Sequence, residues 1–483
     1  MKRTLNILII IIPLFCNAQK QGNVWYFGDN AGLDFNSGAP IALTNGQTST
    51  SAPDPYDIEG TSVISDSSGA LLFYTNGMKI WNKNNQVMPN GNGLLGNFSS
   101  TQAALIVPQP GSSRYFYVFT TDDFFYDSLR YGFRYSIVDI CLNNGLGDVI
   151  SNQKNIKLLD TVSEKVTAIR HSNNIDYWVI VHKFYSDAFY AYHLSSTGIT
   201  DTVISHVGSR HPVITAFQGY GGGAIGSLKA SPNGQKIAIV NGNTYPSVAE
   251  YFDFDKSTGI ISNSVNIQTD TVCNYYGVSF SPDNSKLYIA SNLNGYNIYQ
   301  YDLSAGGGNP NSVKASRTVI TPHTNNYFAL QLATNGKIYV TRSNPSPYLG
   351  VINFPNNFGL GCNYVDSAVY LNGKTASFGL PNFIDSYSYA NTTYNCATGI
   401  NEPDNKNLSI KIYPNPAQQS FTIELPQQQN FNLLVYDVTG KKVFQRTNAT
   451  GTVIIDCSGF TSGIYFVQAV NEKNILSCKL IKQ

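Results

Sequence analysis

Residues 276–304 read YGVSFSPDNSKLYIASNLNGYNIYQYDLS, and this stretch decides the fold. It holds three short runs in which apolar and polar residues alternate, and these runs predict three β-strands. Ser281-Pro282-Asp283-Asn284 separates the first two runs and Asn294-Gly295 separates the last two. Both are turn sequences. Such a unit has apolar faces that it cannot cover alone, so the fold depends on how often the unit recurs.

The pattern of a polar turn followed by an apolar strand recurs at spacings of roughly 45–60 residues, in the range of propeller blades with loop insertions. The six turns lie at residues 65–69, 110–113, 172–174, 231–234, 281–284 and 334–336. No amphipathic helical period of useful length separates them. The repeat is therefore one of sheets and not of helices.

A seventh unit is split between the two ends of this region. Residues 24–27 and 32–35 predict two strands near the start, and residues 377–383 predict another near the end. Pairing these strands would close a ring and hide its sheet edges. We expect residues 19–390 to form an all-β propeller of seven blades, closed by N- and C-terminal strands. Six or eight blades, and an open sandwich or solenoid, are the alternatives.

The C-terminal part has a different pattern. Residues 391–407 are polar and predict a linker. Residues 408–483 contain seven short alternating segments, which predict a small immunoglobulin-like β-sandwich.

The N-terminus and the composition predict export. Residues 1–18 combine Lys2-Arg3, an apolar run and a small-residue cleavage site, as a Sec signal peptide does. We expect no transmembrane segment in the mature chain, because the apolar run is too short to span a membrane. Charged residues make up 13% of the chain and the formal net charge is +1, so we expect no nucleic-acid partner.

The last segment resembles the type A sorting domain of the type IX secretion system of Bacteroidetes, over essentially all of residues 408–483. The resemblance rests on these secretion-signal residues: Tyr413, Pro414, Asn415, Pro416, Gly440, Lys441, Gly463, Tyr465, Lys479 and Lys482. It implies delivery to the outer cell surface or the medium by the type IX secretion machinery. It also implies that the domain is removed and the remainder is released or tethered to surface lipopolysaccharide.

Residues 24–389 also resemble secreted Bacteroidetes proteins with WD40-like or YVTN-like propellers. Matching stretches include Trp25-Tyr26-Phe27-Gly28 and residues 72–77, 134–139 and 164–171. Regular Gly-His and Trp-Asp pairs are missing, so the WD40 label is approximate. This resemblance implies a fold and no activity.

The cysteines and acidic residues give weaker signals. We expect Cys457 and Cys478, which lie in one small domain, to form a disulfide; for the other cysteines, disulfides and free thiols are the alternatives. No zinc spacing is present. Asp122, Asp123 and Asp127 are candidate calcium ligands, with a solvated loop as the alternative. No other cofactor is predicted.

Five residues are candidates for a ligand site at one mouth of the propeller channel, because the first strands of blades line that channel. They are Glu59, Gln102, Lys165, Arg170 and His171. The alternative is that these side chains bridge neighbouring blades.

No catalytic constellation stands out: the sequence has no G-x-S-x-G elbow and no phosphate-binding fingerprint. The sequence therefore predicts a non-catalytic surface module that binds an unidentified protein or glycan. A propeller hydrolase or lyase acting on polysaccharide or ester substrates is the alternative.

Overall fold

The chain divides into two compact units, residues 1–396 and 397–483. A computed structural model describes residues 19–47, 58–211, 223–242, 247–269, 274–291, 296–322, 325–342, 345–389, 394, 396, 410–426, 429–471 and 475–483. The predicted signal peptide lies outside the described residues, and only Tyr394 and Cys396 of the predicted linker, residues 391–407, are described.

The repeat that begins near residue 276 folds as its pattern predicts. Tyr275–Phe280, Lys286–Ser291 and Asn297–Asp302 are antiparallel strands. The turn between the first two is fixed by Ser281, whose hydroxyl accepts a hydrogen bond from the Lys286 amide at 2.8 Å. Asn284 takes a left-handed conformation with φ 66°, as turn asparagines tolerate.

Seven sheets make up the described part of the first unit. The first two sheets consist of β1 Val24–Phe27, β2 Ala31–Asp34 and β3 Ile41–Leu43, and of β4 Thr61–Ser65, β5 Leu71–Thr75, β6 Lys79–Asn82 and β7 Val87–Asn92. The third consists of β8 Ala104–Pro108, β9 Tyr115–Thr120, β10 Phe133–Asp139, β11 Asp148–Val149 and β12 Ile156–Leu159, and the fourth of β13 Val166–Arg170, β14 Tyr177–His182, β15 Ala188–Ser195 and β16 Gly198–His206.

The fifth sheet consists of β17 Leu228–Ala230, β18 Lys236–Asn241, β19 Val248–Phe254 and β20 Ile261–Asn266, and the sixth of β21 Tyr275–Phe280, β22 Lys286–Ser291, β23 Asn297–Asp302 and β24 Thr318–Val319. The seventh consists of β25 Tyr327–Leu332, β26 Ile338–Arg342, β27 Tyr348–Ile352 and β28 Tyr364–Tyr370.

Among the described residues, helical structure is found only in short connections. It consists of α1 Leu142–Gly145, α2 Pro310–Ala315 and 3₁₀ turns at Ser151–Gln153, Ala305–Gly307 and Gly359–Cys362.

The sheets stand in a ring as propeller blades. The first strands of successive sheets contact one another from β1 through β4, β8, β13, β17 and β21 to β25, so these strands line the centre and are called the inner strands below. The seventh sheet returns to the first, where the Trp25 ring lies 5.5 Å from that of Tyr339. Apolar side chains buried between neighbouring sheets form the core. The prediction of a seven-bladed all-β propeller is confirmed.

The ring closes differently from the predicted pairing of residues 377–383 with residues 24–35. Among the described residues, backbone pairing of this C-terminal part with the first sheet region is limited to a single β-bridge between Asp29 and Thr375. Pro381–Asn382 is instead a short strand, β29, that pairs in parallel with Thr61–Ser62 of the second sheet. The chain thus turns toward the ring centre after Thr375, and there it can meet the inner strands of several sheets at once.

The second unit is the predicted β-sandwich, and all seven of its predicted strands are present. One sheet holds β30 Lys411–Tyr413, β31 Ser420–Glu424 and β34 Thr452–Asp456; the other holds β32 Phe431–Asp437, β33 Lys442–Ala449, β35 Gly463–Val470 and β36 Ile475–Lys482. Alternate side chains of both sheets bury a common core that includes Phe421, Leu433 and Val467.

The expected disulfide between Cys457 and Cys478 is wrong. Both residues are free thiols; Cys457 is buried next to the three-stranded sheet, whereas Cys478 belongs to β36 of the other sheet. The disulfide in the structure joins Cys141 to Cys396, across a sequence separation of 255 residues in the first unit.

Candidate functional site

The five candidate ligand residues do not share one mouth of the channel. Glu59, Gln102 and Lys165 precede the inner strands β4, β8 and β13, whereas Arg170 ends β13 and His171 follows it. At about 3.3 Å per residue, the length of β13 puts roughly 16 Å between Lys165 and Arg170 along the strand. The two groups therefore lie at opposite ends of the channel.

The centre of the ring holds residues 381–389, which we call the channel segment. The side-chain amide nitrogen of Asn382 donates to the Val166 carbonyl of the fourth sheet at 2.9 Å. Its amide oxygen accepts from the Lys229 ammonium of the fifth sheet at 3.0 Å. The Tyr387 hydroxyl donates to the Leu332 carbonyl of the seventh sheet at 2.5 Å. One short segment thus bonds to inner strands on several sides of the ring.

A buried ion pair anchors this segment. The Lys229 Nζ lies 3.1 Å from the Asp385 Oδ1 and 2.6 Å from the Gln331 Oε1. The other Asp385 oxygen accepts from the Ala230 amide at 3.0 Å and from the Thr167 hydroxyl at 3.1 Å. Every oxygen of this buried carboxylate is therefore hydrogen-bonded, which offsets the cost of removing the charge from water.

Gln102 and Lys165 are buried within the same interior. The Gln102 side chain donates to the Leu228 carbonyl at 3.1 Å and accepts from the Leu228 amide at 2.8 Å. The Lys165 Nζ donates to the carbonyls of Gly223, Ala224 and Ile225. Gln102, which precedes the third sheet, thus bonds to β17 of the fifth sheet, and Lys165, which precedes the fourth, bonds to the segment before β17. Groups that bridge neighbouring blades bond in this way.

Glu164 is a member of this interior that sequence reasoning did not single out. Its carboxylate accepts from the Thr101 amide at 3.0 Å, the Thr101 hydroxyl at 2.9 Å and the Phe124 amide at 3.0 Å. Burial raises the pKa of Glu164 and lowers the pKa of Lys165. Perturbed pairs of this kind occur at functional sites and in structural ion networks alike. The signal in the sequence was an adjacent acid and base at the start of an inner strand.

Glu59 and Arg170 mark the two ends of the channel. Glu59 is half-buried, and its carboxylate accepts from the Tyr276 hydroxyl at 2.5 Å. At the other end, Arg170 donates to the Ser388 hydroxyl at 3.0 Å and to the Tyr389 carbonyl at 3.2 Å. Arg170 therefore holds the end of the channel segment.

His171 belongs to a surface turn beyond the same end. Its Nδ1 accepts from the Asn173 amide at 3.0 Å, and its ring lies 5.0 Å from the His193 ring.

A second pair of histidines is buried. The rings of His182 and His211 stack with centroids 3.9 Å apart. Burial, followed by the charge of Lys165, lowers the pKa of His182 to about 3, and the pKa of His211 is also well below its usual value. Both imidazoles are therefore neutral in the folded chain at neutral pH.

The acidic residues considered for calcium do come together. One carboxylate oxygen from each of Asp122, Asp123 and Asp127 lies within 4.8 Å of the others, so these residues could hold a metal ion. The same carboxylates also accept hydrogen bonds, for example from the Tyr131 amide to Asp122 at 2.7 Å. Burial raises the pKa of Asp122 to about 7. Calcium binding at this place stays a prediction.

In the sandwich, the secretion-signal residues hold the C-terminal strand. The Asn415 side chain donates to the Lys479 carbonyl at 2.7 Å and accepts from the Ile481 amide at 2.9 Å. Gly440, with φ 82°, takes the left-handed position of the turn that places Lys441. Tyr465 donates to the Thr461 carbonyl at 2.8 Å. The motif is thus built into turns and strand ends.

Residues 411–483 match the family described as the secretion system C-terminal sorting domain. The match covers the β-sandwich from its first strand to the last residue. The chain is therefore a cargo of the type IX secretion system and is secreted to the cell surface. Among the described residues, no helix is long and apolar enough to cross a membrane.

Other comparisons are weaker. The chain is 33% identical over 66 residues to an endo-acting ulvan lyase of Formosa agariphila, a match that spans 14% of this chain and 13% of that enzyme. Among solved structures, it resembles PorZ, a surface component of the type IX secretion system of Porphyromonas gingivalis, with a TM-score of 0.35, 13% identity, and coverage of 94% of this chain and 62% of PorZ. It also resembles the β-propeller domain of Cps50 (Swd1) of Myceliophteria thermophila, with a TM-score of 0.37, 10% identity, and coverage of 67% and 94%.

Proposed function

We propose that the propeller is a non-catalytic binding module, exported to recognise a glycan or a protein at the cell surface. The observation that supports this most directly is that ionisable side chains of the channel are buried and hydrogen-bonded within the chain. Three of the channel's ionisable groups, Glu164, Lys165 and Asp385, are buried and bonded to the chain's own residues. A substrate would have to displace those bonds to reach them.

We further propose that the sorting domain is removed on export and that the propeller is released or tethered to surface lipopolysaccharide. The match of residues 411–483 to a sorting domain supports this proposal. Mass spectrometry of the chain recovered from intact cells tests it. A surface-associated species that ends before residue 411 and carries added glycolipid mass is expected for the tethered form, and a species that retains residues 411–483 would contradict the removal.

The second candidate is an extracellular hydrolase or lyase that acts on polysaccharide or ester substrates. One observation favours it: the adjacent Glu164 and Lys165 are buried together at the start of an inner strand, and burial shifts the pKa values of both toward neutrality.

A parallel screen of the purified full chain separates the two functions. Binding is measured on an array of oligosaccharides and surface proteins, and turnover is measured on polysaccharide and ester panels. The binding proposal expects saturable binding without product, whereas product formation that Glu164→Gln abolishes would favour the enzyme.

A further inference from the structure

A groove of about 530 Å³ runs along the third sheet, outside the channel and its polar network. The hairpin between β15 and β16 of the fourth sheet closes one end of it. Its polar and aromatic lining consists of Gln109, Tyr115, Tyr117, Tyr135, Gln153 and Thr197. The volume is within the range of about 300–1,000 Å³ that is usual for small-ligand sites.

Strand geometry explains why the tyrosines converge. Tyr115 and Tyr117 are two residues apart on β9 and so point to the same face of the sheet. Tyr135 of β10 lies opposite Phe119, on that face as well. The Tyr117 and Tyr135 rings are 5.1 Å apart and tilted by 40°. Tyr115 and Tyr135 are only partly buried, so ring surface is open to the groove.

The groove also offers hydrogen-bonding groups. No hydrogen bond joins the hydroxyls of Tyr115, Tyr117 or Tyr135 to another residue within the described ranges. Gln109, in contrast, donates to the Ser196 carbonyl at 2.8 Å and so fixes the neighbouring hairpin. Three hydroxyls, each able to donate and to accept, therefore face a preformed cleft.

The lining carries no ionisable acid or base other than the tyrosines themselves. Arg114, whose guanidinium carbon lies 5.4 Å from the centre of the Tyr115 ring, is paired with Asp139 through two hydrogen bonds, of 2.6 Å from Nε and 2.5 Å from Nη2. An anionic ligand would find no cation in the lining itself to offset its desolvation, and a cationic ligand would find no carboxylate there. A purely apolar ligand would cover the tyrosine hydroxyls without replacing their hydrogen bonds to water.

We infer that this groove is a binding site for a short, uncharged oligosaccharide. The apolar face of a sugar ring would pack on the Tyr115 and Tyr135 rings, and the sugar hydroxyls would exchange hydrogen bonds with the tyrosine hydroxyls. The inference rests on the proposed binding function and names the site and ligand class for it.

The test uses the purified full chain and isothermal titration calorimetry. The neutral probes are cello-, laminari-, manno- and xylo-oligosaccharides; the anionic probes are oligogalacturonate and chondroitin sulfate oligosaccharides. Tyr115→Ala removes a stacking surface, and Tyr135→Phe removes a hydroxyl while it keeps the ring. Tyr370→Ala is the matched control, because Tyr370 is 51% exposed on the seventh sheet and its ring lies 5.2 Å from another tyrosine, Tyr348.

We expect at least one neutral probe to bind, Tyr115→Ala to weaken it about tenfold, and Tyr135→Phe to weaken it about fivefold. Tyr370→Ala should leave the affinity unchanged, and the thermal midpoint of Tyr135→Phe should match that of the unaltered chain. Binding of anionic probes alone, or neutral binding that neither groove variant weakens, would overturn the groove assignment and leave the proposed function standing. Turnover of the probes, or binding to no glycan and no surface protein, would overturn both.

Discussion

The ammonium of Lys229 lies 3.1 Å from the carboxylate of Asp385, and both side chains are more than nine-tenths buried. Lys229 belongs to the inner strand of the fifth sheet, whereas Asp385 belongs to the channel segment. This pair fastens the C-terminal end of the propeller to its interior. The ring is therefore held together by the segment that fills its channel as well as by contacts between neighbouring sheets.

Replacing Asp385 with alanine should destabilise the propeller strongly. The substitution leaves Lys229 buried without its counter-charge and removes the acceptor of the Ala230 amide. Breaking a buried pair in this way costs about 3–5 kcal/mol. Chemical denaturation measures the loss. Asp160→Ala is the matched control, because the Asp160 and Lys157 side chains are 83% and 53% exposed, and it should change little. Equal effects of the two substitutions would contradict the anchoring role.

Lys165→Met tests whether Lys165 is structural. The substitution leaves the carbonyls of Gly223, Ala224 and Ile225 without their shared donor, at an expected cost of about 1–3 kcal/mol. Lys157→Met removes an exposed lysine and is the control. We expect the first variant to lose stability and to keep its affinity for any ligand found in the screen. Unchanged stability with lost affinity would instead support a ligand site at this end of the channel.

His182 should make the propeller sensitive to acid. Its pKa is lowered from 6.5 to about 3 in the folded chain, so between these values the unfolded chain binds the extra proton. The free energy of unfolding therefore falls as the pH falls, by up to about 1.4 kcal/mol per pH unit from this group, which amounts to about 1.6 kcal/mol between pH 6.5 and pH 5.

Urea denaturation of His182→Phe at both pH values measures this contribution. The variant should lose that part of the pH dependence, while His206→Gln, which removes an exposed imidazole, should keep it. Glu164 has a raised pKa and acts in the opposite direction, but it is present in every variant compared. Identical pH profiles for His182→Phe and the unaltered chain would show that His182 does not stay neutral when buried.

The Cys141–Cys396 disulfide should stabilise the first unit. It closes a loop of 255 residues and so restricts the unfolded chain, and loss of such a bond costs about 2–5 kcal/mol. Cys396→Ser should lower the thermal midpoint under oxidising conditions. Cys478→Ser removes a thiol that is already free and is the control. If a reducing agent lowers the midpoint of the Cys396→Ser variant as much as that of the unaltered chain, the stabilisation comes from elsewhere.

Much of the fold could be predicted because its signals are local. Alternation of apolar and polar residues marks the seven sandwich strands, and polar turns mark the strands that follow them in the propeller, such as the turn at Ser281 with its short-range hydrogen bond to Lys286. The channel segment has no such signal. Pro381 and Asn382 form a strand of only two residues, and the role of Asp385 depends on Lys229, a partner 156 residues away.

The candidate site shows the same limit. The separation of Lys165 from Arg170 could be predicted from the sequence, because Lys165 directly precedes one short strand and Arg170 is the last residue of that strand. The tyrosine groove could not be predicted from the sequence, because it forms only where Tyr117 of one sheet and Thr197 of the next sheet line the same gap. Binding surfaces of this kind depend on how blades are placed, which alternation within a blade does not specify.

The central claim is that the exported propeller binds its target without chemical change, and the most direct test is to follow a bound oligosaccharide over time. The full chain is incubated with the tightest-binding probe, the complex is detected by calorimetry, and the probe is analysed by mass spectrometry. We predict saturable binding and an intact probe after prolonged incubation. The account would be contradicted if the unaltered chain cleaved the probe and the Glu164→Gln variant did not.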